Sequence, residues 1–149
     1  MDQQLIIAID FDKTIANTEH PRIHGLFNYA KEVINKWYEQ GAYIIIWTCR
    51  TGKTELEAEK FLLDEGIHFH KINDHHPNGQ LNFGTEETIT HGITSRKVWS
   101  HILIDDTSID WMLHGHPGWH SLDLDMQLII GKYPERWTCS PDSNYNYLK

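Results

Sequence analysis

Three observations predict an α/β fold, a doubly wound (Rossmann-like), mainly parallel sheet. The apolar runs 5–9, 42–47 and 101–104 are short and uninterrupted, as in strands covered on both faces. Segments of helical period alternate with them, giving strand, helix, strand, helix, strand. Two of the runs end in closely spaced aspartates, Asp10 and Asp12, then Asp105 and Asp106. Sheets of this class bind ligands just beyond the carboxyl ends of their strands.

In order along the chain, the first run ends at Asp10-Phe11-Asp12. Side chains alternate across a strand, so Asp10 and Asp12 emerge on one side. Converging carboxylates repel and need a cation or a shared proton, unless both simply cap the turn. Leu26, Phe27, Ala30, Val33, Ile34, Trp37 and Tyr38 recur at helical spacing, with Gly41 as the stop. The second strand, 42–47, ends at Thr48. A second helix is expected from Thr54, with Thr54 and Glu57 as a capping box, to a stop near Gly66. Residues 67–72 alternate apolar and polar, which suits an edge strand.

Residues 73–96 break the rhythm. They are rich in Asn, Gly, Thr and His, with a turn signal at Asn78-Gly79, and read as a long loop. The third strand follows and ends in Asp105-Asp106. Residues 108–113 suit a short helix, and 122–130 form an apolar element of open type. The chain reads as one domain: a core over 1–131 and a polar tail over 132–149 that retains Trp137, Tyr145 and Tyr147. Right-handed crossovers make the expected architecture a three-layer αβα sandwich, with every strand end on one edge.

Bulk properties narrow the function. A net charge of -8 argues against broad attraction to nucleic acid or anionic membranes. Only Cys49 and Cys139 occur, too few and too far apart for a disulfide scaffold or a thiolate zinc site. No stretch approaches the roughly 20 apolar residues of a membrane span, and no signal-like segment opens the chain, so a cytoplasmic protein is expected.

The strand ends carry the chemistry. Asp10, Asp12, Asp105 and Asp106 offer the hard oxygen ligands that suit Mg²⁺. Thr48 and Lys97 offer donors for phosphoryl oxygens. Acid pair, hydroxyl, amine and acid pair suit phosphoryl transfer through a carboxylate nucleophile. In these residues the chain resembles the haloacid dehalogenase superfamily, the Mg²⁺-dependent aspartyl-phosphate phosphatases. That family's Asp-x-Asp-x-Thr motif matches Asp10-Phe11-Asp12-Lys13-Thr14, its strand-end hydroxyl Thr48, its lysine Lys97 and its acidic pair Asp105-Asp106, with Asp110 a further acid.

The resemblance implies roles. Asp10 would be the nucleophile, and Asp12 would protonate the leaving group and then deprotonate water. Thr48 and Lys97 would hold the phosphoryl oxygens. Mg²⁺ would sit on Asp10, the Asp12 main-chain carbonyl and one of Asp105 or Asp106, the other acting through water. The family ordinarily has Gly where Lys13 stands, so Lys13 must adopt a conformation that glycine takes freely. Its ammonium either adds charge near the phosphate or points to solvent.

About 33 residues separate Thr14 from Thr48 and 48 separate Thr48 from Lys97, too few beside their strands and helices for a cap domain. The expected site is therefore open, bordered by 15–25, by 73–96 or by a neighbouring subunit of a homo-oligomer. It would admit a small-molecule or larger phosphorylated substrate, with His20, Arg50 and Lys13 as candidate pocket residues. The alternative is a catalytically weak phosphate-binding or regulatory module of the same fold. Three other readings fail. Thr51-Gly52-Lys53-Thr54 resembles a P-loop, but Trp47 occupies the position that needs glycine. A receiver domain, by resemblance, would carry its acidic pair first and its lysine last. The pairs His68/His70, His75/His76 and His114/His116 lack the carboxylate pattern of a catalytic zinc site.

Overall fold

The computed structural model describes residues 3–77 and 97–142. A mostly parallel four-stranded sheet forms its centre, in the order β5-β4-β1-β6. The strands are β1 (Ile6–Ile9), β4 (Tyr43–Ile46), β5 (Lys71–Ile72) and β6 (Ile102–Ile104). All of β1 and β4 is buried, as their unbroken apolar sequences require. Ile9 stands opposite Ile46 on one side and Ile104 on the other, while Ile46 faces Ile72. Asp10, Trp47, Asn73 and Asp105 therefore leave the sheet at a single edge. The chain moves outward from β1 through β4 to β5, then returns to the far side of β1. That reversal makes the crevice between β1 and β6 the topological switch point, where open α/β sheets bind their ligands.

The helices are α1 (Ala30–Glu39), α2 (Gly52–Asp64), α3 (Ile109–His114) and α4 (Trp119–Lys132). Ala30, Val33, Ile34 and Trp37 of α1, Ala58 and Leu62 of α2, and Trp119, Met126 and Ile130 of α4 share one cluster with Ile7, Ile9, Ile44 and Ile46. The opposite face, Ile6, Ala8, Tyr43 and Ile45, is met among the described residues by Val98, Trp47 and Trp99. Return from β5 to β6 passes through 78–96, so the Asn78-Gly79 turn and most of the expected 73–96 loop lie outside the described residues. No described helix is long and apolar enough to cross a membrane.

Two expectations change. The first helix begins at Ala30, because 16–26 folds into an antiparallel hairpin of β2 (Ala16–Glu19) and β3 (Arg22–Leu26). Leu26 and Phe27 do pack on the core, but from the end of that hairpin. The second helix begins at Gly52 with Thr51 as N-cap. Thr54 cannot cap it, since its hydroxyl donates back to the Thr51 carbonyl at 2.9 Å. The expected edge strand over 67–72 shrinks to the two residues of β5, the short helix expected over 108–113 is α3 at Ile109–His114, and the apolar element of open type is α4. The tail is packed as far as it is described: Gln3 bridges to Trp137, and Trp137 and Cys139 are buried.

Candidate functional site

One acidic cluster forms at the switch point. Single carboxylate oxygens of Asp10, Asp105 and Asp106 all lie within 4.8 Å of one another, so these three could hold a metal ion. Among the described residues no histidine joins such a cluster. Asp110 sits exposed in the first turn of α3, outside it. Burial is the main force on Asp10, and with a hydrogen bond to the Asp106 side chain and the charge of Asp105 it pushes the pKa up to about 8. The Thr14 hydroxyl opposes this, donating to Asp10 Oδ2 at 3.0 Å. Thr14 Oγ1 in turn accepts the Asp106 backbone N–H at 3.1 Å, so one buried threonine joins the ends of β1 and β6.

Thr14 is itself held by the first residue of α4 and by the connection that precedes it. Its carbonyl accepts Trp119 Nε1–H at 3.2 Å and His116 Nε2 at 2.9 Å. A carbonyl only accepts, so His116 carries its proton on Nε2 and takes the Gly118 N–H on Nδ1 at 2.9 Å. The loop between Asp10 and Thr14 is tight. The Phe11 carbonyl accepts N–H groups from Thr14, Ile15 and Ala16. Lys13 takes φ 64, the left-handed conformation that a glycine would adopt without cost, and its side chain is exposed.

Asp12 lies outside the acidic cluster. Arg50 grips its carboxylate with Nε at 2.9 Å and Nη2 at 2.7 Å. Burial alone would raise the Asp12 pKa, but hydrogen bonds from Arg50 and Thr18 and the charges of Arg50 and His20 bring it below the usual value. Thr48, at the end of β4, accepts the Arg50 backbone N–H at 3.1 Å and donates its own N–H to Asn73 Oδ1 at 2.8 Å.

The candidate pocket residues separate. Arg50, expected at a pocket wall, is instead 2% exposed and directed at Asp12 and the Pro21 carbonyl. His20 lines an open cavity of about 560 Å³ with Glu19, Pro21, Arg22, Ile23 and Glu57. Lys97 is exposed and opens the segment that leads into β6, next to the buried Val98. Asn73 was missed by sequence reasoning, although its signal was present: it directly follows an expected edge strand, so it had to reach the same edge as Thr48. His116 and Trp119 carried no such signal, because their role is a bond to a main-chain carbonyl remote in sequence.

The structure is similar to that of a conserved protein from Bacteroides thetaiotaomicron, with a TM-score of 0.67 and 26% identity over 89% of this chain and 97% of that one. No protein-family model matches the sequence, and no curated protein matches it with significance.

Proposed function

We propose that this chain is a cap-less, Mg²⁺-dependent phosphatase of the haloacid dehalogenase type, which hydrolyses a phosphomonoester through an aspartyl phosphate. The observation that carries the reading is the convergence of Asp10, Asp105 and Asp106 at the switch point. Three hard-oxygen ligands suit Mg²⁺, and the raised pKa of Asp10, due first to burial and then to the hydrogen bond and charges of the neighbouring acids, is consistent with a carboxylate whose charge a cation would relieve. When bound there, Mg²⁺ would neutralise the charge between the carboxylates and the incoming phosphate.

The chain's own groups then divide the work. An Asp10 oxygen attacks phosphorus, forming the Asp10–phosphate bond as the substrate's ester P–O bond breaks. The leaving oxygen takes a proton from Asp12. Water then cleaves the acyl phosphate, giving up a proton to Asp12, and phosphate departs with Asp10 restored. Arg50 keeps Asp12 ionised in the resting protein, so the proton Asp12 hands to the leaving oxygen is first taken from the incoming phosphomonoester monoanion, and the ionised form regained after that transfer is the one that accepts the water's proton. Thr48 and Lys97 are proposed to donate to the phosphoryl oxygens, which adds no chemistry but orients the group for in-line attack. A three-layer αβα sandwich is the architecture we propose, as right-handed crossovers between parallel strands favour it.

The test is phosphate release from a panel of phosphomonoesters with Mg²⁺. Asp10→Asn should abolish turnover. Asp12→Asn should lower it strongly while leaving Mg²⁺ affinity within about 3-fold, because only its side chain is changed. Phosphate binding by the intact chain without turnover on any ester would favour the regulatory module instead.

A further inference from the structure

Arg50 has the geometry of a clamp. Its side chain is 1% exposed and its guanidinium lies 5.1 Å from the centre of the Phe11 ring. Two donors run in parallel to the Asp12 carboxylate at 2.9 and 2.7 Å, and Nη1 donates to the Pro21 carbonyl at 3.2 Å. Pro21 lies in the turn between β2 and β3. The backbone of Arg50 is fixed as well, its N–H on Thr48 Oγ1 and its carbonyl on Asn73 Nδ2. One residue thus spans the ends of β4 and β5, the loop after β1, and the hairpin.

We propose that Arg50 is a positioning residue, which sets the orientation of the Asp12 carboxylate and ties it to the turn of the β2–β3 hairpin. Its catalytic consequence rests on the phosphatase reading above. Parallel donors on a carboxylate fix a plane as well as a distance, and lysine cannot copy them with a single point charge. Proton delivery to a leaving oxygen depends on that alignment, where misplacement by about 1 Å costs on the order of 100-fold. The requirement is greatest for alkoxide leaving groups and slight for a phenolate that departs unprotonated.

The experiment compares wild type, Arg50→Lys, Asp12→Asn and the double variant with Mg²⁺, on 4-nitrophenyl phosphate and on an alkyl phosphate. kcat/KM is the readout because it stops at loss of the leaving group. Arg50→Lys should lose on the order of 30-fold or more on the alkyl ester and less than about 3-fold on the aryl ester, and the double variant should be no worse than Asp12→Asn alone. Equal losses on both esters would overturn the proposal, since a purely structural or phosphate-binding role predicts them. A second readout does not depend on turnover. Trypsin cleavage after the exposed Arg22 should accelerate several-fold in Arg50→Lys well below its melting temperature, and unchanged cleavage would overturn the tie to the hairpin. If wild type releases no phosphate from any ester, the phosphatase reading falls with its consequence for Asp12, and trypsin alone decides the clamp.

Discussion

Asp10 faces opposed demands: it is half-buried beside two other acids, yet must be ionised to bind a cation or, in the phosphatase we propose, to attack phosphorus. With its pKa pushed up to about 8, the metal-free protein holds a proton there near neutral pH. The sign follows from linkage. The folded value lies above the unfolded 3.8, so ionising Asp10 opposes folding increasingly from pH 3.8 to about 8, and stability returns as pH falls through that window. Cation binding reverses this by displacing the proton. Mg²⁺ affinity should therefore rise with pH and level off above about 8, and calorimetry in two buffers of different ionisation heat should show proton release near pH 7. An affinity flat across that range would contradict the crowding of the site. Lys13 is legible at the same scale. Its place in the motif foretold a glycine-like turn, and the structure gives φ 64. Lys13→Gly should leave stability within about 1 kcal/mol or raise it, whereas Lys13→Val should cost about 1–2 kcal/mol in chemical denaturation.

Between elements, the joint of α1 and α4 shows what sequence periodicity could not supply. The apolar stripe of α1 was readable, but its partner was not, because a helix stripe says only that something covers it. The structure answers with Asp123, fully buried, which accepts Trp37 Nε1–H and Lys36 Nζ at 2.8 Å and Gln127 Nε2 at 2.9 Å. Lys36 also reaches Asp142 at 2.9 Å, fastening the tail to the same joint. Asp123→Ala would strand the buried indole N–H and one lysine partner. It should cost about 3 kcal/mol, read as a lowered urea midpoint with an unchanged slope. The β2–β3 hairpin escaped notice for a related reason. Its strands are four and five residues long, too short for alternation to stand out, and their last apolar residues fall by accident into the spacing of α1.

Across the whole molecule, the strands and the acids at their ends were legible because both are local features: an apolar run, then a polar residue. What brings Asp10, Asp105 and Asp106 together is strand order, which emerges only when β6 pairs with β1. Sequence distance hid the other supports equally well. Two histidines accept backbone N–H groups at strand starts: His70 Nδ1 from Ile44 at 3.0 Å and His101 Nδ1 from Ile6 at 2.9 Å. The central claim concerns the reaction, and the most direct measurement is the fate of Asp10 itself. Protein mixed with Mg²⁺ and a turning-over phosphomonoester, then quenched in acid, should carry a phosphoryl group on Asp10 by mass spectrometry, absent from Asp10→Asn. Steady release of phosphate with an unmodified Asp10, or equal release by Asp10→Asn, would contradict the account.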